Sequence, residues 1–212
     1  VRPVNKAETL ENMRITLVVL ILSPIVLWSS VSRAEDGQTS LRMDMVEQVI
    51  VNIERMQHEI RDSTLDPAIV IAMRDIPRHE FVPEKLRPFS YFDIPLPVGY
   101  EQNTSQPYLI ALMTQLAGVD KNDRVFETDT GSGYHAAILS RLAVLVISVE
   151  VVKPIADSAA RQLKKIGYTN IEERHADGFY GWKERGPFDA MIIKETVPQV
   201  RATFINQLKP GG

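Results

Sequence analysis

The strongest constraint on the fold is a rhythm that starts near Pro107 and continues to the last residue. Pro107 to Ala117 reads as a helix, Asp120 to Asp123 as a polar turn, and Arg124 to Thr128 as a short strand. Gly133 to Leu142 is helical in pattern and Leu145 to Glu150 reads as a buried strand. Pro154 to Ile166 is a helix closed by Gly167. Ile171 to His175 follows as a weaker strand, Asp189 to Ile193 as a strong one, and Arg201 to Leu208 as a helix before Lys209-Pro210-Gly211-Gly212. Strands alternating with helices of this length build βαβ units, because parallel neighbours need a crossover long enough to hold a helix. The expected core is therefore a doubly wound α/β sheet.

Upstream the pattern is helical. Between Leu41 and Arg61, Val46, Ile50, Ile53, Met56 and Ile60 recur at three- and four-residue spacing, the mark of an amphipathic helix. Met43, Met45 and Met56 belong to helical faces rather than to a cofactor site. Asp66-Pro67 supplies an N-cap and a first-turn proline for a short helix that Pro77 stops after Ile76. From Pro77 to Gly99, prolines and aromatics make an ordered, non-repetitive lid or wall. Further towards the start, Met13-Arg14 precedes an apolar run from Ile15 to Trp28, with small residues at Ser32 and Ala34. This fits a secretory signal peptide, and the run is short for a spanning helix, which needs about 20 apolar residues. An uncleaved membrane anchor is the alternative. The expected division is a leader at 1–34, a helical and proline-rich region at 35–106, and the α/β core at 107–212, with export to an extracytoplasmic compartment such as the periplasm.

Composition narrows the chemistry. A formal net charge of −3, with no basic stripe, gives no footprint for nucleic acid. The absence of cysteine excludes disulfides, thiolate zinc sites and cysteine nucleophiles. His58, His79, His135 and His175 share no metal-ligand spacing, so no metal site is expected. Tyr180 and Trp182 are read as packing residues.

Doubly wound sheets bind ligands beyond the carboxyl ends of their strands. The turn after the first core strand, Asp129-Thr130-Gly131-Ser132-Gly133, has glycines that permit a tight turn and close approach to a ligand. Glu150 ends the next strand 19 residues beyond Gly131, the separation at which an acid commonly accepts hydrogen bonds from ribose hydroxyls. Asp177-Gly178 follows the third strand, where an acid can meet an adenine amino group. Each feature alone has a plainer reading: strand-to-helix punctuation, a surface carboxylate, a simple turn. Together they suit a nucleoside. No lysine followed by Ser or Thr closes a phosphate loop and no three-glycine dinucleotide fingerprint is present, which points away from a pyrophosphate and towards S-adenosylmethionine.

Particular motifs go further. Pro77-Arg78-His79-Glu80-Phe81-Val82-Pro83, Tyr91 through Asp93, Pro95-Leu96-Pro97-Val98-Gly99 and Thr104-Ser105-Gln106-Pro107-Tyr108 resemble protein-L-isoaspartate (D-aspartate) O-methyltransferases. So do Thr130-Gly131-Ser132-Gly133-Tyr134, Ser148-Val149-Glu150, Gly167-Tyr168-Thr169-Asn170, Asp177-Gly178, Gly181-Trp182, Pro187-Phe188-Asp189 and Gln207 through Gly212. The resemblance runs in order from about Met45 to the C-terminus. It implies a Rossmann-like methyltransferase fold and methyl transfer from S-adenosylmethionine to the carboxylate of isoaspartyl residues in damaged proteins, by a monomer. It also implies that Ser105 is the active-site serine, and that Gln102, Thr104, Ser105, Thr130, Gly131, Gly133, Glu150, Asp177 and Gly178 contact the cofactor.

The chain departs from that pattern at identifiable places. Glu101 and Asp129 stand where the family has glycine, and Lys194-Glu195 where it has small residues. Asp129 is expected to face the cofactor's own carboxylate unless it turns away, is protonated, or pairs with Lys194. The family continues beyond the Lys-Pro-Gly-Gly turn into further strands, so the resemblance implies a sheet shortened to four strands, ordered 3-2-1-4. These departures leave an alternative function: an exported relative that binds proteins without turnover.

Overall fold

A computed structural model of the chain describes residues 37–56, 64–196 and 199–212. The leader, His58, Ile60 and the end of the helix expected to reach Arg61 lie outside the described residues. Arg42–Gly212 is one compact unit.

Residues 37–55 form helix α1. Its apolar stripe explains its place, since Met45, Val46, Val49 and Ile53 are buried while Glu47, Gln48 and Glu54 face solvent. Helix α2 (Pro67–Asp75) opens as its sequence dictates: the Asp66 carboxylate accepts from the Ala68 amide at 2.7 Å, and Pro67 fills the first turn. The segment after Pro77 is ordered through two 3-10 turns, Arg78–Phe81 and Glu84–Phe89.

The segment also contributes to a hairpin that the sequence reading missed. Strand β1 (Leu96–Gly99) pairs antiparallel with β2 (Gln102–Thr104). Tyr100 and Glu101 form the connection with φ of 51° and 60°. Hairpin turns of this kind usually announce themselves with Asn-Gly or Asp-Gly, and proline at 95 and 97 argues against a strand. Pro107 then opens α3 (Pro107–Ala117), which Gly118 ends in a left-handed cap.

The main sheet is parallel and has the order β5-β4-β3-β6. Its strands are β3 (Arg124–Thr128), β4 (Leu145–Glu150), β5 (Ile171–His175) and β6 (Ala190–Ile192). In chain order of the core strands this is the expected 3-2-1-4. Helices α4 (Tyr134–Ser140) and α5 (Lys153–Ile166) cross between them. Val125 and Val146 pack with Ala136 and Leu139 on one face, while Phe126, Ile147, Val149 and Phe188 form a cluster on the other. Apolar residues on both faces are what a doubly wound sheet requires.

Helix α4, β6 and the last helix are shorter than their sequence patterns. Asp189 precedes β6, its carboxylate accepting from the Arg124 amide at 2.8 Å and the Lys209 ammonium at 2.6 Å. Helix α6 (Ala202–Ile205) stops early because the chain turns to bridge Phe188: the Phe188 amide donates to the Gln207 carbonyl, and the Lys209 amide to the Phe188 carbonyl, both at 2.8 Å. Trp182 packs as expected, with the Arg174 guanidinium 3.8 Å from its ring. Tyr180 does not: it is 65% exposed and touches the Phe179 ring instead.

Candidate active site

The turn from β3 into α4 is built from backbone geometry that side chains rarely adopt. Asp129, Gly131 and Gly133 all have positive φ, at 52°, 56° and 84°. Glycine is the natural occupant of such positions, and Asp is among the few other residues that visit them. Hydrogen bonds then fix the turn. The Gly131 amide donates to Glu150 Oε2 and the Val152 amide to Glu150 Oε1, both at 2.9 Å. Glu150 is buried at the end of β4, so one carboxylate ties the turn to the neighbouring strand. Beneath it, Thr130 Oγ1 and Ser148 Oγ are 2.6 Å apart, and Ser148 donates to Glu127 Oε1 at 2.8 Å.

Opposite this turn stands the segment that leaves β2. Gln102, Thr104 and Ser105 line a cavity of about 240 Å³ together with Thr130 and Gly131. A second cavity of about 420 Å³, between the first half of α5 and the Glu80–Pro83 segment, also has Gly131 and Ser132 in its wall. The two spaces share the glycine turn as a common wall; the larger falls within the roughly 300–1,000 Å³ of small-molecule sites and the smaller just below it.

The remaining expected residues sit elsewhere. Glu150 lies behind the turn. Gly133 packs under α5, where an added Cβ would lie 3.2 Å from Leu163. Gly178 is pressed against the end of β3, where a Cβ would come within 2.7 Å of Thr128 Cγ2. Asp177 is exposed and accepts from the Phe179 amide at 2.9 Å. Five of the nine residues therefore share one cavity, one supports it from behind, and three lie outside it.

Several participants were not legible beforehand. Of the three ways out open to Asp129, pairing with Lys194 does not occur. The Lys194 ammonium lies 2.9 Å from Glu127 Oε2, because Glu127 on β3 is in register with Ile192 on β6 and Lys194 lies two residues further on. His135 Nδ1 is 3.6 Å from the same oxygen, and Nε2 is 3.0 Å from Thr114 Oγ1. Burial, aided by the Lys194 charge, holds the His135 pKa well below its ordinary 6.5, so the imidazole is neutral and its contact with Glu127 is dipolar. Asp129 also lines the smaller cavity. Burial first, then the Glu195 carboxylate, raises its pKa to about 6 despite the opposing pull of Lys194. Arg78, wholly buried, donates to the carbonyls of Ser90 at 2.7 Å, Ile94 at 3.1 Å and Ser105 at 3.1 Å.

A nucleoside with an amino-acid tail fits these residues. Gly131 leaves the turn open, since an added Cβ would meet nothing nearer than 3.7 Å. Glu150 keeps unused lone pairs on both oxygens. The cavity's lysine is engaged by Glu127, which leaves no free ammonium for a phosphate. Fold and site together define a Rossmann-like methyltransferase of the S-adenosylmethionine-dependent class. Residues 43–212 match the family model described as Protein-L-isoaspartate(D-aspartate) O-methyltransferase (PCMT). A protein-L-isoaspartate O-methyltransferase 2 of Syntrophobacter fumaroxidans is 40% identical over 92% of this chain and 79% of its own length. A protein-L-isoaspartate O-methyltransferase of Opitutus terrae is 41% identical over 94% of this chain and 80% of its own. Among solved structures, a protein-L-isoaspartate O-methyltransferase superposes with a TM-score of 0.66 at 32% identity, covering 79% of this chain and 53% of that one. A Plasmodium falciparum structure of a putative member, in complex with S-adenosyl-L-homocysteine, shares the fold at a TM-score of 0.60 and 19% identity, over 76% of this chain and 78% of its own. The chain belongs to the protein-L-isoaspartate(D-aspartate) O-methyltransferase family.

Proposed function

We propose that the chain methylates the side-chain carboxylate of L-isoaspartyl residues in damaged proteins, with S-adenosylmethionine as donor. The observation that carries this reading is the single cavity shared by Ser105 and Gly131, on a turn clamped by Glu150. Bound S-adenosylmethionine supplies a methyl group whose bond to sulfur breaks with its electron pair left on sulfur.

The protein's own work is positional. A free carboxylate has a pKa near 4, so the acceptor is ionised near pH 7 and needs no general base. The Ser105 hydroxyl orients that carboxylate, while Gln102, Thr104, Thr130 and Gly131 hold the cofactor's reacting end against it. Arg78 fixes the Ser105 backbone from behind. Glu150 takes the ribose hydroxyls on its free lone pairs, and Asp177 with Gly178 serves the adenine. A small, partly enclosed cavity limits competing water. The resulting ester is set up to close to a succinimide, whose hydrolysis returns part of the chain to ordinary aspartate.

The same reading has the chain acting as a monomer, and the pattern at residues 13–34 supports its export. No observation favours the alternative of binding without turnover. Ser105→Ala tests the assignment: methyl transfer from labelled S-adenosylmethionine to an isoaspartyl peptide falls by a factor of ten or more while cofactor binding persists. Unchanged transfer would remove Ser105 from the site.

A further inference from the structure

We infer that Asp129 makes the small cavity selective for the cationic, methyl-bearing form of the cofactor over its neutral demethylated product. The inference rests on the methyltransferase reading above. It concerns a residue that the family's glycine pattern would not supply.

The charges around the cavity decide its sign. Glu101, Asp129 and Lys194 are the charged side chains in its wall. The Lys194 ammonium is held at 2.9 Å by Glu127, a carboxylate with no exposure, so its charge is balanced within the protein. His135, also in the wall, is neutral for the reasons given above. Behind the wall stand two more acids, Glu150 on the Gly131 amide and Glu195, which accepts from the Thr128 hydroxyl. The left-handed turn places Asp129 beside Gly131 on the same cavity, and the neighbouring acids oppose its ionisation. At pH 7.5 Asp129 is nonetheless charged, since its pKa is raised only to about 6. The cavity is therefore short of positive charge.

The two cofactor forms differ in one respect that this cavity can read. Both carry an adenosine and an amino-acid zwitterion. The methylated form adds a fixed sulfonium charge that no proton can remove, and the product has lost it. If Ser105 holds the acceptor, the sulfur lies in this same cavity. A space of about 240 Å³ has a radius of about 4 Å, so a sulfonium there is within roughly 8 Å of Asp129. At an effective dielectric near 20, unit charges at that separation change affinity by about tenfold or more. Asp129 thus favours the donor before transfer and loosens the product after it.

The test is calorimetric and does not depend on turnover. S-adenosylmethionine, the protonated-amine analogue sinefungin and S-adenosylhomocysteine are titrated at pH 7.5 into the full chain, Asp129→Asn and Asp129→Gly. In the unaltered protein both cationic ligands bind about tenfold or more tightly than S-adenosylhomocysteine. In both variants that ratio drops several-fold, with the affinity for S-adenosylhomocysteine held or improved. A ratio that is the same in all three proteins overturns the inference alone. Failure of every ligand to bind the unaltered chain overturns it together with the methyltransferase reading.

Discussion

The Arg78 guanidinium donates to the main-chain carbonyl of Ser105 at 3.1 Å, across 27 residues of sequence. The same group reaches the carbonyls of Ser90 and Ile94 and lies 5.7 Å from the centre of the Tyr134 ring, the first residue of α4. One planar side chain therefore joins the proline-rich wall, the serine segment and the helix that follows the glycine turn.

Only an arginine can span these acceptors, because lysine has no planar fork. Arg78→Lys is expected to strand buried carbonyls at about 1–3 kcal/mol each and to lower Tm by about 2–4 °C for each kcal/mol. Because Ser105 loses its support, kcat should fall by a factor of ten or more while affinity for S-adenosylhomocysteine stays within about threefold. Steady-state kinetics beside calorimetry separates the two. Lost affinity with intact kcat would contradict the positioning role.

Glu150 accepts from two amides with two oxygens. Glu150→Gln keeps one acceptor and turns an NH₂ towards the other amide, leaving a buried donor unmatched at about 1–3 kcal/mol. Affinity for S-adenosylhomocysteine should fall at least tenfold, because the turn loosens and the ribose acceptor is weakened. Unchanged affinity would mean that the carboxylate only braces the fold.

Lys194→Met removes the cation from a carboxylate that has no solvent exposure. Breaking such a pair costs about 3–5 kcal/mol, while replacing both partners is often far milder. Denaturant unfolding should show Lys194→Met much less stable than Lys194→Met combined with Glu127→Gln. Equal losses in the two proteins would show that the pair is not coupled.

Asp129 gives the fold a distinctive pH dependence. Its pKa rises from 3.8 to about 6 on folding, through burial first and the Glu195 charge second. The folded state therefore holds the proton more tightly. Its contribution is favourable below 3.8 and is lost as pH rises through about 6. Asp129→Asn should consequently gain stability over the unaltered protein between pH 5 and pH 7.5, by about 1 kcal/mol after allowing for solvent screening. Urea midpoints at the two pH values check this, and a pH-independent difference would refute the shift.

The parallel sheet was legible because its strands and helices advertise themselves by pattern: Val146 and Ile147 sit in a continuous apolar run, and the glycine turn follows β3 directly. The site was half legible. Ser105, Gly131 and Glu150 carry local motifs, and a strand-end acid 19 residues past a glycine turn has a physical reason to be there. Arg78 was hidden because its partners are main-chain carbonyls, which leave no mark on side-chain identity. Lys194 was one option as a partner for Asp129, since strand-end proximity alone does not reveal that Lys194 lies two residues past Ile192, which is in register with Glu127. The β1–β2 hairpin was missed because prolines and a Tyr-Glu turn run against strand chemistry.

The central claim is methyl transfer to an isoaspartyl carboxylate at the Ser105 cavity. Labelled S-adenosylmethionine offered with two peptides, identical except for an isoaspartyl or an ordinary aspartyl linkage, tests it directly. Base-labile methyl ester on the isoaspartyl peptide alone, lost in Ser105→Ala, is the result expected here. Equal labelling of both peptides, or none on either with cofactor bound, would contradict it.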